Sequence, residues 1–223
     1  MQERIISEHV KLFRAENAAT SNYAAIAFAG IAQGLGTPVF EFFHSLQALG
    51  VDALFIRDPS QGWYSRPIPG LGAKPSEMAA TISGLAAGHF PGRKIVTVGN
   101  CMGGFAALLF GCLCGFSKAL CFSPQTFISP DLRAYYQETR CPEDAAAVAD
   151  AEFGDVKPLL LSDRNLQVEV YVGAQNATDL AHAGRLAGIR NVTLHTLPEC
   201  GHMAARWLKE QGRLESILSG MFA

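Results

Sequence analysis

The 223-residue chain is poor in charge: Asp, Glu, Lys and Arg make up only 17% of it. Twenty acidic and eighteen basic side chains leave a net charge of −2, and neither sign gathers into a block. That pattern excludes the basic footprint of a nucleic-acid binder or of a protein held on an anionic membrane. Long apolar runs are also missing. The longest, Cys101 to Phe116, is too short to span a bilayer. The N-terminal MQERIISEHVK is charged and has no signal-peptide core. A cytoplasmic location is the expectation. The six cysteines contain no C-x-x-C and no paired Cys/His zinc spacing, and in that compartment they need not form disulfides. No G-x-G-x-x-G follows the first apolar strand. Neither a metal nor a dinucleotide cofactor is therefore expected. There is no internal repeat and no low-complexity linker. With 49% hydrophobic residues, the composition fits one core-rich domain over 1–223.

What the chain does have is KIVTVGNCMGG, residues 94–104. Ile95, Val96 and Val98 form a β-branched run that reads as a buried strand. FAALLFGCLCGF behind it is apolar on nearly every face and reads as a buried helix. Between them Gly99, Cys101 and Gly103 alternate, which is the G-x-S-x-G elbow with Cys in place of Ser. Side chains at 99 and 103 would collide with strand or helix, and the tip residue takes a strained backbone. The tip then projects over the helix N-terminus, where negative charge is favoured and a thiol is expected to be partly thiolate. The alternative is a Gly-rich turn around an inert buried Cys. Cys112, Cys114 and Cys121 sit in apolar surroundings and read as packing residues.

The rest of the chain alternates strand and helix. Val10 and Leu12 suggest an edge strand, and Ala24 to Ala29 an inner one. Gly30, Gly34 and Gly36 then strip the next loop of side chains, so its amides can approach a ligand. Thr37 and Pro38 open a helix that carries Val39, Phe42, Phe43, Leu46 and Leu49 on one face. Val51 to Ile56 is a strand, followed by RDPSQGWY. There Asp58, Trp63 and Tyr64 either line a pocket or staple the loop. Ser76 to Gly88 has helical spacing, and Ala119 to Phe122 is a strand ending in SPQTF. Residues 126–166 break the alternation, with helix starts at Ser129-Pro130-Asp131 and Cys141-Pro142-Glu143. That segment reads as a helical cap insertion or as a long crossover. Val168 to Val172 and Val192 to Leu197 complete the sheet. A helix opens at Asp179 and closes at Gly188, and a C-terminal helix is weakened at Gly212. The alternation means an α/β fold with a mostly parallel sheet covered on both faces. Gly30, Asp58, Cys101, Gln125, Asp179 and His202 each follow a strand, which brings them to one sheet edge, where such folds bind ligands.

The order Cys101, Asp179, His202 resembles the nucleophile, acid and histidine of the α/β-hydrolase superfamily. The resemblance covers residues 24–220 and rests most on GNCMGG and on Gly201-His202. It implies an α/β-hydrolase fold with a small helical cap insertion. It further implies Cys101 as nucleophile, His202 as base and then acid, and Asp179 as the group orienting His202. The implied oxyanion hole is the backbone N–H of Met102 and of Ile31. The Cys variant and the small size are similar to dienelactone hydrolases. A Cys elbow also occurs in polyhydroxyalkanoate synthases and some chain-releasing thioesterases. The chain departs from the family in three ways. Ala29-Gly30 stands where the family carries His-Gly. The region before the inner strands is short enough for an edge strand or two to be missing. The position three residues after Gly173, often the acid, is Asn176, so either Asp179 or Asn176 orients His202.

The chemistry implied is acyl transfer through a thioester on Cys101, from a small-molecule or carrier-bound acyl substrate. Gly30, Asp58, Trp63, Tyr64 and Gln125 are the expected substrate contacts. A thioester retains transfer potential, so an amine, alcohol or thiol can replace water as acceptor. Hydrolysis, acyl transfer or cyclisation, and a non-catalytic hydrolase-like binder are all open at this point. So is a Cys101 that replaces a native serine. His9, His44 and His89 read as surface residues. His182 reads as a local partner of Asp179, and Cys200 as structural.

Overall fold

A computed structural model describes residues 2–15, 22–31 and 39–223. Gly34, Gly36, Thr37 and Pro38, expected to shape a loop and start a helix, lie outside the described residues. Eight strands form one sheet: β1 (Gln2–Ser7), β2 (Val10–Arg14), β3 (Tyr23–Phe28), β4 (Ala53–Ile56), β5 (Lys94–Asn100), β6 (Lys118–Phe122), β7 (Gln167–Gly173) and β8 (Val192–Leu197). Their order is β1-β2-β4-β3-β5-β6-β7-β8. From β4 onward the ladders are parallel, while β1 pairs with β2, and β2 with β4, antiparallel. The edge is therefore built despite the short N-terminal region. Two short strands before residue 15 supply it, and only the second alternates clearly enough to be read from sequence.

β3, β5 and β6 are buried almost throughout, as central parallel strands covered on both faces must be. One face carries α2 (Pro75–His89), α3 (Met102–Leu113) and α7 (Ala177–Gly184). Phe28, Tyr64 and Phe110 interlock there, with Phe28 stacked on Phe110 at 5.3 Å and edge-on to Tyr64 at 5.4 Å. The other face packs α1 (Phe43–Ala48), α8 (Ala204–Glu210) and α9 (Leu214–Met221) over Val96, Val98 and Leu120.

Three boundaries differ from expectation. Phe42 sits at φ +62°, so the first helix starts at Phe43 and not near Val39. Gly212 does more than weaken a C-terminal helix: at φ +66° it breaks it into α8 and α9. α7 ends at Gly184, a turn before Gly188. Between β6 and β7 the chain forms three short helices, α4 (Pro130–Tyr135), α5 (Pro142–Ala146) and α6 (Lys157–Ser162). No helix among the described residues is long and apolar enough to cross a membrane.

Candidate active site

Cys101 occupies the turn between β5 and α3 at φ +54°, ψ −116°, a conformation that L residues rarely adopt. Its neighbours make the turn possible. A Cβ on Gly99 would stand 1.9 Å from the Gly103 carbonyl oxygen, and one on Gly103 would stand 2.2 Å from that of Phe28. The strand, the bend and the helix therefore approach as closely as backbone allows. The Cys101 N–H donates to the Phe122 carbonyl across the sheet at 3.0 Å. Its thiol points to Gln125 Oε1 at 3.7 Å. That oxygen is identified by Trp63, whose indole N–H, a donor only, reaches it at 2.6 Å. Gln125 Nε2 then faces the other way, buried and without a hydrogen-bond partner among the described residues.

His202 follows β8 and reaches Asp179 on α7, with Nδ1 to Oδ2 at 2.7 Å. Asn176 does not meet the histidine. It caps α7 by accepting the Asp179 N–H at 3.0 Å. The Asp179 carboxylate chiefly, and then the Cys101 thiol beside the ring, push His202 up to about 10 despite partial burial. The imidazole is thus held as a cation across neutral pH.

The second oxygen of Asp179 belongs to Arg140, whose Nη1 donates to Oδ1 at 2.7 Å. Arg140 lies between α4 and α5, and its Nε donates at 3.0 Å to each oxygen of Glu138, with Nη2 donating to the same carboxylate. Glu138 in turn meets His182 Nε2 at 2.9 Å. Because His182 Nδ1 accepts the Thr126 N–H at 2.9 Å, Nε2 must carry the proton and donate to Glu138. Burial opposes ionisation of Glu138, but hydrogen bonds from His182 and Arg140 hold it well below the usual carboxylate range. The result is a chain of partners from Thr126 through Glu138 and Arg140 to Asp179 and His202. His182 is not the local partner of Asp179 that its spacing suggests.

No family model and no curated protein matches the sequence. Solved structures do match. A capsule O-acetyltransferase of Neisseria meningitidis serogroup A superposes with a TM-score of 0.67 at 13% identity, over 97% of this chain and 93% of that one. A thermophilic esterase from Thermogutta terrifontis gives 0.63 at 16% identity over 100% of both chains. MenH from S. aureus gives 0.61 at 13% identity, over 96% of this chain and 97% of that one. The fold is that of the α/β hydrolases.

In this α/β-hydrolase fold a cavity of about 310 Å³ opens over the elbow, lined by Ile31, Asn100, Cys101, Gln125, Arg140, Cys141 and His202. Of the expected substrate contacts, Gln125 alone lines it. Asp58 is fully buried and serves its own loop, accepting Ser60 N–H and Oγ–H and the N–H groups of Gly62 and Tyr64 at 2.7–2.9 Å. Those bonds hold the left-handed backbone of Trp63 and Tyr64. Tyr64 is fully buried, its hydroxyl directed at the carbonyls of Ala29 and Ile56 at 3.0 and 3.1 Å. Trp63 is fully buried behind Gln125. These three position the wall and do not face a ligand. Gly30 also stands behind the wall: a Cβ there would meet the Asn100 carbonyl oxygen at 2.9 Å. Met102 opens α3, so its N–H has no acceptor within the helix.

His9 is buried and not on the surface. Sequence reasoning missed Arg140, Glu138, Cys141, Asn100 and Glu41. The one available signal was Glu138-Thr139-Arg140-Cys141 in the segment that interrupts the alternation. Glu41 accepts the Gly30 N–H and the Asn100 side-chain amide, yet burial pushes its carboxyl up to about 7. Among the described residues no group of three or more His, Cys, Asp and Glu side chains is placed to hold a metal.

Proposed function

We propose that the protein is an acyl-processing enzyme that cleaves an ester or thioester through an acyl-thioester on Cys101. The observation that carries this reading is a thiol at a strained elbow beside an imidazole that Asp179 orients and charges. In the first step the sulfur attacks the substrate carbonyl carbon and a C–S bond forms. The bond to the leaving group breaks, and His202 delivers its proton there. The tetrahedral oxyanion lies against the amides of Met102 and Ile31. Losing one such donor typically costs about 3 kcal/mol in the transition state. Asp179 keeps Nδ1 protonated and Nε2 toward the sulfur. Gln125 lines the cavity with its Oε1 toward the sulfur.

Residues 126–166 serve as a cap that brings Arg140 and Cys141 to the cavity wall. The hydrolase and acetyltransferase names among the structural neighbours agree with ester chemistry, but at 13–16% identity they speak to fold. In the second step His202 removes a proton from water or another acceptor, which displaces the thiolate.

The test is intact mass after incubation with a panel of activated acyl esters and thioesters. One retained acyl group, mapped to Cys101 and absent in Cys101→Ala, is expected. A wild-type chain that turns substrate over without retaining an acyl group, or that retains it elsewhere, would defeat the reading.

A further inference from the structure

A second cavity of about 240 Å³ adjoins the first across Asn100, with Glu41, Phe42, Met203, Ala205 and Lys209 among its walls. Asn100 belongs to both cavities and is 9% exposed. Its amide N–H goes to Glu41, which leaves Oδ1 buried without a partner among the described residues. Glu41 Oε2 is likewise buried and without one. Two buried acceptors are costly to leave without a donor. Asn100 directly precedes Cys101, the residue that would carry an acyl group.

We propose that this cavity is the acceptor subsite of the same centre, seating a hydroxyl-bearing acceptor such as a polyol or sugar whose O–H is held by Glu41 and Asn100. The proposal rests on the acyl-thioester reading above and names what takes the acyl group. Two observations select a hydroxyl over an ammonium. Lys209 stands at the cavity wall, where its charge opposes a cationic acceptor, while Arg206 beside it is paired with Glu210 at 2.9 Å. A hydroxyl also donates and accepts, so it complements Glu41 in either protonation state, and that carboxyl titrates near neutrality. In the step itself the acceptor oxygen attacks the thioester carbon. The C–O bond forms and the C–S bond breaks. The hydroxyl proton passes to His202, and the sulfur returns as thiolate beside the imidazolium. Water excluded from the subsite by the bound acceptor no longer competes.

The experiment measures the ratio of transferred to hydrolysed acyl group from an activated thioester, with glycerol and methyl α-glucoside as acceptors and ethylamine as the cationic comparison. The ratio is read within one enzyme, so a change in the rate of acylation cancels. Transfer to the alcohols is expected to saturate with concentration. Glu41→Gln, and Ala205→Trp, which fills the cavity from α8, are each expected to raise the half-saturating concentration at least fivefold. Transfer that rises linearly without saturation, that prefers ethylamine, or that is unchanged in both variants overturns the subsite. An acyl group retained on Cys101 with no transfer to either alcohol overturns it while leaving the acyl-thioester reading intact. Absence of any retained acyl group removes both.

Discussion

At the scale of single residues, the site is a set of atoms whose roles are fixed by what their other ends do. The orientation of the Gln125 amide is set by a tryptophan behind the wall, not by the ligand in front of it. Trp63→Phe removes the donor that identifies Oε1. The amide is then free to turn its N–H toward the Cys101 sulfur, which stabilises negative charge there. Alkylation of Cys101 by iodoacetamide at pH 7 is expected to become severalfold faster, measured by mass mapping over time. An unchanged rate would mean that the tryptophan is packing alone. His202 carries a second residue-scale prediction. Its folded pKa is raised from about 6.5 to about 10, so its proton stabilises the native state. That contribution is complete below about 6.5 and disappears as pH climbs to about 10. The stability difference between wild type and His202→Gln, from denaturant titrations at several pH values, is therefore expected to shift against the wild type across that window and level off on either side. A pH-independent difference would show that the histidine gains no proton affinity on folding.

Elements behave differently, because their positions depend on approach distances that side-chain patterns do not record. The elbow was legible because Gly99 and Gly103 bracket one reactive side chain between a β-branched run and an apolar helix. The distances supply the reason: backbone meets backbone with no room for a Cβ. Gly103→Ala is expected to cost at least about 2 kcal/mol, or to prevent folding, since the Phe28 carbonyl lies in a buried strand that cannot retreat. A thermal melt against wild type decides it. The segment between β6 and β7 was less legible. Its helix starts were visible, but its attachment was not, because Glu138 and Arg140 are ordinary surface residues by type. They become structural only through His182 and Asp179, some forty residues on. Arg140 closes this attachment. Arg140→Ala strands the fully buried Glu138 carboxylate beside neutral His182. Breaking such a pair by removing one partner typically costs about 3–5 kcal/mol. Faster amide exchange across 130–147 is expected, with much less effect in β3 and β5. Equal loosening everywhere would mean that the segment and the sheet open as one unit.

Over the whole molecule, alternation of strand and helix carried the parallel character of the sheet, because parallel strands need crossovers and crossovers leave a long-period signature. Of the two antiparallel edge strands, β2 showed its alternation and β1 did not: β1 is exposed on most of its length, with no apolar alternation. The same limit applies to Asp58, Trp63 and Tyr64, which follow a strand at the correct edge but point inward; position in the topology fixes which end of the sheet a residue occupies, not which way it faces. Thiol reactivity tests this global arrangement, since six free cysteines are spread over one chain. Burial pushes Cys112 up to about 12 and Cys114 to about 11, and raises Cys121 further. Cys200 is raised by burial and by Asp179, and directs its thiol to the Gly201 carbonyl at 3.2 Å. Cys141 lines the same cavity as Cys101 but is raised by burial first, then by Asp144 and Cys101. Cys101 lines the cavity with a charged imidazole facing its sulfur. Iodoacetamide at neutral pH should therefore modify Cys101 first, with Cys141 next because it shares the cavity. The remaining four should stay unmodified until denaturant is added. His202→Ala should abolish the lead of Cys101 without exposing the other thiols. If Cys112 or Cys114 reacts as fast as Cys101 in the folded protein, the imidazole is not activating the sulfur, and the acyl-thioester chemistry loses its nucleophile.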